Sequence, residues 1–500
     1  MSPEFPGRGS GRLWLRFLLA GVLVVVLAAG ATATAGLLQV QSFVDDIKQG
    51  GTIHGLGDVI SRADVGAPQT ILLIGSDHRY GAARTDARSD TMMLVHLDPD
   101  ASATTVLSIP RDLKVDYTYN GALRTGAKIN ETYTVGGEAL TAKVIKHLLG
   151  IPINHVVNIN FKGFKAVVDA IGCVYADIDH HYYHSNLGSV DQYAEIDIPA
   201  GYQRLCGSKA LDYVRFRHAD SDFVRAARQQ DFLRQAKSQY GVDRFINDPH
   251  QITKQIGKYM RTDPSLQSKE ELLSLANLLA YSANHPIRQV QFQAGLEFTG
   301  GVSYVVSSPE QIAAVRHEFI SPPPKEPSAK PARRRGRGGK HHGAKGPSTN
   351  GLVDASQTGE DYAIRLGGTR VPIYYPKLLT SSGQYMPPSV GVYPRKYRIM
   401  DTDHHWHDAY RLVVAIPTIN GAYYGIEGTG WKDPPILRNP SADTRTIHGK
   451  QLLLFYDGSK LRTVGWKTPH ASYWVQNTLT ETLSNDQMLA IAGSLTRLGR

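Results

Sequence analysis

An α/β layered core, preceded by a membrane span and followed by a smaller α+β unit, is the fold class the sequence predicts. Three observations lead to it. Short apolar runs alternate with helical patterns between residues 67 and 320. An apolar stretch without charge lies near the N-terminus. After a gap rich in Pro, Lys and Arg, the sequence changes texture. A chain of 500 residues also exceeds what one hydrophobic core usually organises, so at least two domains are expected.

Taking the elements in order, residues 1–16 carry Arg8, Arg12 and Arg16 and read as a short basic cytoplasmic tail. Arg16 is the last charge before Asp45, and Phe17 to Leu38 (17–38) is apolar, about the 20 residues that cross a bilayer. Arginines on its N-terminal side orient such a helix with that end in the cytoplasm, so everything beyond residue 40 or so is expected outside. Ala31, Ala33 and Ala35 also resemble a signal-peptide cleavage site, but the length of the run favours an uncleaved anchor. Residues 39–66, with few apolar runs and several Gly, read as a stalk. In an oxidising exterior the two cysteines, Cys173 and Cys206, are expected to pair; the alternative is two buried thiols.

The dense pattern of residues 67–320 starts with buried-strand runs at 70–75, 91–97 and 104–109, and continues with a fourth at 155–161. Helical patterns cover 138–149, stopped by Gly150, then 161–170, 223–240 and 268–281. The last opens with the Ser268/Glu271 spacing of a capping box. Residues 321–358 have almost nothing apolar and read as a disordered basic linker. From 359 to 500, aromatic and β-branched runs separated by turns such as Asn420-Gly421 and Asp457-Gly458 predict an antiparallel sheet, and a helix over 484–498 closes the chain.

Net charge is +10, from 55 basic and 45 acidic residues. The segment 325–345 holds eight of those cations against Glu326, and the N-terminal tail holds three against Glu4, so these two pieces supply +9 of the +10. The folded remainder is close to neutral, and sixteen cytoplasmic residues are too few for a DNA-binding module, so no nucleic-acid partner is expected. The basic segment suits an anionic polymer or membrane lipid, or a solvated spacer.

Two carboxylates, Asp77 and Asp90, follow or begin strand patterns, each beside an arginine, Arg79 and Arg88. Hard divalent cations take such oxygen ligands together with substrate phosphate. Arg111 follows the strand at 104–109, and Lys128 precedes Ile129-Asn130. Arg215 and Arg217, two apart, are expected on one side of an extended segment. Asp222, Arg225 and Gln229 are spaced for one helix face, with Arg228 nearby. So many guanidinium forks around two acids suit a multiply charged anion such as pyrophosphate. Other signals are bland: His404, His405 and His407 lack a companion ligand cluster, and His180, His181 and His184 read as a polar loop. Phe161, Phe164, Val167 and Val168 are half core stripe, half candidate lining of a lipid groove.

The strings Ile71–Asp77, Arg88–Leu94, Leu107–Asp112, Lys128–Asn130, Leu149–Ile153, Asn160–Phe164 and Tyr213–His218, closed by Asp222, Arg225, Gln229 and Gln230, occur in one order and together resemble the LytR-CpsA-Psr family. The resemblance implies an α-β-α sandwich around a mostly central mixed sheet, with a groove for a polyprenyl tail. It implies a phosphotransferase that moves a glycopolymer from a polyprenyl-pyrophosphate carrier to peptidoglycan and forms a phosphodiester bond in cell-wall assembly. Its partners would be the polyprenyl-pyrophosphate-linked glycan, the peptidoglycan acceptor and membrane lipid. Asp77 and Asp90 match the family's ligands for Mg²⁺, for which Mn²⁺ can stand in. Arg79, Arg88, Arg111, Lys128, Arg215, Arg217, Arg225 and Gln229 match its pyrophosphate-binding positions. Asp77, Asp90, Arg111 and Asp222 are the catalytic candidates, with Asp222 orienting the arginines. The paired cysteines also match actinobacterial members. Such chemistry needs positioning and electrostatics rather than a covalent nucleophile, and an acceptor hydroxyl would lose its proton to Asp77 or Asp90. A pyrophosphatase acting on the carrier and a non-catalytic lipid-glycan binding protein are the competing readings. The unit 359–500 does not resemble the family's usual extension.

Overall fold

The computed structural model describes residues 41–499, apart from 43, 77–88, 102, 188–193, 217–220, 241–256, 282–286, 322–346, 389–392, 419–420 and 439–442. Its first half is built on strands β1 (Gln69–Ser76), β2 (Ser89–Leu97), β3 (Thr104–Ser108), β4 (Lys114–Tyr119) and β5 (Ala122–Lys128), followed by helix α1 (Glu131–Leu149). Next come β6 (His155–Asn160), α2 (Phe161–Ala170), β7 (Val174–Ile178), β8 (Tyr182–His184), β9 (Ile196–Ile198), β10 (Gly201–Leu205), α3 (Gly207–Arg215) and α4 (Asp222–Tyr240). β11 (Met260–Thr262), α5 (Lys269–Tyr281), β12 (Ile287–Val290), β13 (Gly295–Thr299), β14 (Val302–Val306) and α6 (Pro309–Ile320) complete it.

A mixed six-stranded sheet, ordered β11-β6-β1-β2-β3-β12, forms the centre. β1 runs parallel to β6 and antiparallel to β2; β2–β3 is antiparallel and β3–β12 parallel. Alternate residues of each strand serve opposite faces. Leu72 and Ile74 of β1, with Met92, Leu94 and Leu107, pack against Tyr133, Leu140 and Ile145 of α1 and Val315 and Phe319 of α6. On the other face Ile71 and Leu97 meet Leu278 of α5, while Met93 and Val106 lie in one cluster with Leu233 of α4. Burial on both faces explains why these strands read as continuous apolar runs.

Three expectations need correction. α1 starts seven residues before its legible part, because Gly137 sits inside it at φ +66° and breaks the helical geometry and the apolar period. The supposed stalk is part of the core: Val44 and Ile47 are buried against Leu266 and Leu272, and Ile53, Leu56 and Val59 join the main cluster. Backbone bridges Thr52–Thr262 and Ile60–Ile153 fasten the same segment. The expected linker, 321–358, also extends too far, since residues 352–354 already form a strand. The proposed span 17–38 lies outside the described residues, among which no helix is long and apolar enough to cross a membrane.

The second half contains β15 (Leu352–Asp354), α7 (Ser356–Ile364), β16 (Tyr374–Tyr375), β17 (Leu378–Thr380), β18 (Gln384–Tyr385), β19 (Arg395–Met400), β20 (Trp406–Ile416) and β21 (Ala422–Thr429). It ends with β22 (Asp443–Ile447), β23 (Lys450–Asp457), β24 (Lys460–Lys467), β25 (Ser472–Gln476), α8 (Asn485–Ser494) and β26 (Thr496–Arg497). Eight of these strands form one antiparallel sheet, β18-β20-β21-β25-β24-β23-β22 with β19 on β20. The hairpins at Gly421 and Gly458 turn through positive φ, +63° and +57°, as their sequences predict. Ser484 and Gln487 make a complete capping box on α8, whose Met488, Leu489 and Ile491 are buried against the sheet.

The two halves share a buried seam. Tyr175 and Tyr202 pack with Ile399, Trp431 and Trp474. Arg411 is fully buried and pairs with Asp177 at 2.8 Å, and the Trp474 indole N–H donates to the other Asp177 oxygen at 2.7 Å. His180, expected in a polar loop, is buried here and stacks on Tyr423 at 4.1 Å, because its apolar ring face completes the seam.

Candidate functional site

The register of the central sheet decides where the candidate residues meet. Gly75 pairs with Thr91, Ser76 with Ser89 and with Asn160, and Met93 with Ser108. The end of β1, the start of β2, the end of β3 and the end of β6 therefore share one sheet edge. Asp90 is the extra residue of a β-bulge between the Gly75 and Ser76 pairings, and Asp77 follows Ser76 directly in the chain. Asp77, Arg79, Arg88 and Arg217 lie outside the described residues; of Asp90 the backbone is described.

Helix α4 crosses this edge. Gln229 donates to the Thr91 hydroxyl at 2.9 Å and to the Val214 carbonyl at 3.1 Å, and the next residue, Gln230, donates to Ser108 at 3.0 Å. Two consecutive amides thus tie the helix to the ends of β2 and β3. One turn earlier, Arg225 pairs with Asp222 at 2.8 Å, the i, i+3 contact that the spacing predicts. Arg225 is buried, and the second Asp222 oxygen is buried without a hydrogen-bond partner among the described residues. Asp222 therefore holds the arginine fork in place through one oxygen.

Arg215 is the last residue of α3, not part of an extended segment as its spacing suggested; the chain becomes extended only at Phe216, φ −52° and ψ 137°. Its guanidinium bonds Asp212 at 2.7 Å and lies 5.7 Å from the ring centre of Phe161, which follows directly on β6. That contact brings Arg215 to the same edge. Beyond β3, Arg111 and Lys128 both approach Asp112, at 3.6 and 3.3 Å, and Lys128 lies over the Tyr304 ring at 5.5 Å. The backbone holds the pair together, since Asn130 donates to the Arg111 carbonyl at 3.1 Å.

The sequence placed Arg228 near the site without showing its role, and it left the partners of Ser76 and Asn158 unread. Arg228 is completely buried, donates to the Phe216 carbonyl at 2.6 Å and lies 4.6 Å from the Tyr182 ring centre. Its guanidinium holds the backbone at Phe216, the residue that follows α3. Burial, reinforced by nearby Asp179, pushes the Tyr213 hydroxyl well above its ordinary pKa, so it stays neutral. Behind β1, Ser76 donates to Asn158 at 3.0 Å, and Asn158 donates to Glu138 at 2.7 Å. Only the exact three-dimensional register reveals these partners. Phe164 packs 6.0 Å from Phe232 and Val168 is buried, so this part of the α2 stripe is core.

Cys173 and Cys206 form a disulfide that joins the start of β7 to the cap of α3. The histidine run 404–407 is organised around a carboxylate: Asp401 accepts from the backbone N–H groups of Asp403 and His405 and lies 2.7 Å from His407 Nε2. The three-residue cluster of metal-ligand type among the described residues, Asp169 with the two cysteines, is excluded as a metal site by the disulfide.

A family model described as the LytR_cpsA_psr family matches residues 42–320. The polyisoprenyl-teichoic acid–peptidoglycan teichoic acid transferase TagU of Halalkalibacterium halodurans is 31% identical over 256 residues, covering 51% of this chain and 79% of that protein. TagV of Bacillus subtilis, described in the same words, is 31% identical over 224 residues, 44% of this chain and 56% of its own length. Among solved structures, B. subtilis TagV aligns at a TM-score of 0.42 and 25% identity over 51% of this chain and 98% of that one. TagT bound to LIIa-WTA aligns at 0.41 and 25%, over 52% and 92%.

Proposed function

We propose, on the premise that this chain belongs to the LytR_cpsA_psr family, that it transfers a glycopolymer from a polyprenyl-pyrophosphate carrier to peptidoglycan outside the cytoplasmic membrane. The observation that carries the reading is the convergence of Arg111, Lys128, Arg215, Arg225 and Gln229 on the sheet edge that also receives Asp90. The names of TagU and TagV supply the substrate class.

In this reading an acceptor sugar hydroxyl attacks the phosphorus that bears the glycan. One phosphodiester bond forms, the phosphoanhydride bond breaks, polyprenyl phosphate leaves, and the hydroxyl proton passes to a carboxylate of the site. Arg215 and Arg225, held by Asp212 and Asp222, present preset forks to the phosphoryl oxygens. Arg111 and Lys128 add charge from the opposite side of the edge. The residue types suit a hard divalent cation: Asp90 stands in the bulge, Asp77 follows Ser76 in the chain, and both are carboxylates of the kind such an ion takes. When bound, Mg²⁺ there would neutralise charge on the pyrophosphate.

The test supplies the full chain in detergent with a polyprenyl-pyrophosphoryl oligosaccharide, Mg²⁺ and peptidoglycan fragments, and measures sugar phosphate joined to the fragments. Joined product that requires the cation and falls about a hundredfold or more in Asp90→Asn is expected, the scale at which loss of one electrostatic stabiliser acts. Release of free sugar phosphate without joined product would make the protein a pyrophosphatase. Tight carrier binding without turnover would make it a binding protein.

A further inference from the structure

The second half carries a cleft of about 540 Å³ lined by Arg370, Arg398, Trp406, His407, Asp408 and His470. We propose that it binds a saccharide bearing a single negative charge, independently of the transfer site.

Trp406 begins β20 and is 55% exposed, a large apolar ring left in water. Arg398 pairs in register with Asp408, two residues along the same face, and its guanidinium lies 5.4 Å from the Trp406 ring centre. Arg370 is held at the rim through its backbone, whose N–H donates to Asp408 Oδ2 at 3.1 Å. Among the described residues no hydrogen bond or ion pair engages the Arg370 guanidinium or the His470 imidazole, so both remain available to a ligand. The rim is fastened from beneath: Tyr473 donates to the Pro372 carbonyl at 3.0 Å, and Gly430 donates to the Asp408 carbonyl at 2.9 Å. The back wall is equally fixed, since His407 stacks on Trp431 with planes 8° apart, and Trp431 packs on Tyr175 of the first half at 5.1 Å.

This lining selects a ligand class. An exposed indole offers a platform for the C–H face of a sugar ring. Among the lining residues two arginines stand against one carboxylate, Asp408, with Asp401 set behind His407; that small positive excess suits one anionic group, and a polyanion would be opposed by the carboxylates. Asp408 accepts hydrogen bonds from hydroxyls, whereas Arg370, Arg398 and His470 donate. A saccharide with one carboxylate or one phosphodiester fits all of these features.

Binding to the full chain would be followed by calorimetry and tryptophan fluorescence. The probes are N-acetylmuramic acid as a sugar carboxylate, a glucosyl glycerophosphodiester, neutral N-acetylglucosamine and a mononucleotide. The expected result is that one or both monoanionic sugars bind about tenfold or more tightly than the neutral sugar. Whichever binds identifies the anionic group. Trp406→Ala and Arg370→Ala, both at exposed positions, should each weaken that binding about tenfold at unchanged melting temperature. Equal affinity in wild type and both variants, absence of binding by either acid, or tighter binding of the nucleotide would overturn the proposal. Because the readout is binding, these outcomes do not depend on whether the chain transfers glycan.

Discussion

Arg225 and Arg411 show how one residue type carries two different burdens. Arg225 is buried beside Asp222 at the sheet edge, where a planar fork matters more than charge alone. Arg225→Lys keeps the charge but loses the fork. It is expected to lower transfer about tenfold to a hundredfold while leaving the melting temperature within a few degrees. Full activity in this variant would remove Arg225 from phosphate recognition. Arg411 lies far from that role, fully buried between Asp177 and Glu427 at 2.8 and 3.6 Å. One guanidinium cannot neutralise two acids, and burial drives the Glu427 carboxyl well above its ordinary pKa, so Glu427 holds its proton while Asp177 stays paired. Gly425 makes room for this arrangement: a Cβ there would come within 2.3 Å of the Arg411 guanidinium carbon. Arg411→Met strands Asp177 without a cation, and denaturant unfolding should register a loss of about 3–5 kcal/mol.

Helix α4 is the element on which site and seam meet, because one end bears Arg225 and Gln229 while its middle bears Asp231 and Arg234. Asp231 pairs with Arg234 and with Arg462 at 2.8 Å; Arg234 also reaches Asp457 at 2.8 Å, and Glu481 lies 3.6 Å from Arg462. Three carboxylates thus face two guanidinium groups. Burial, with the Asp457 charge beside it, pushes the Glu481 carboxyl up to about 8. The folded state then holds a proton that the unfolded chain releases above about pH 4.5. Stability from this group is complete below that pH and lost as pH rises towards 8. Glu481→Gln should flatten the fall in melting temperature between those limits relative to wild type; parallel curves would show that Glu481 is charged throughout. The disulfide acts on another element boundary, closing 33 residues between β7 and α3. Replacing both cysteines by Ala should cost about 3–4 kcal/mol by loop entropy, measured by denaturant unfolding. The sequence made these elements legible to different degrees. The strands of the central sheet were readable because burial on both faces leaves unbroken apolar runs such as Ile71–Ile74. α3 was not: Ala210, Leu211, Tyr213 and Val214 do carry a helical spacing, but the helix is only nine residues long and its arginine motif imitates a strand. The contacts of Gln229 and Gln230 with Thr91 and Ser108 span more than a hundred residues, and no local pattern encodes a register.

At the scale of the whole molecule, the seam makes the two halves one mechanical object. The sequence suggested a catalytic unit separable at residue 320, because composition marks the basic segment so clearly. Composition cannot report what a segment's neighbours bury. Asp177 receives both its indole and its guanidinium partner from the second half, and Asp231 receives Arg462. Tyr175 and Tyr202, 3% and 1% exposed, are covered by Trp431 and Trp474. A chain ending at 320 would therefore expose an aromatic patch, leave Asp177 without its indole and guanidinium partners, and take Arg462 from Asp231 on the helix that positions Gln229. Starting at 67 would add a second injury by removing Ile53, Leu56 and Val59 from the main core. The full chain from 41 onward is expected to unfold in one calorimetric transition, with Arg411→Met and Glu481→Gln shifting that whole transition. Burial of a seam this apolar and this charged leaves no partly folded state in which one half persists alone. Two resolved transitions, with only the upper or the lower one moved by Arg411→Met, would show that the halves fold independently and that α4 keeps its place on the sheet edge without the second half.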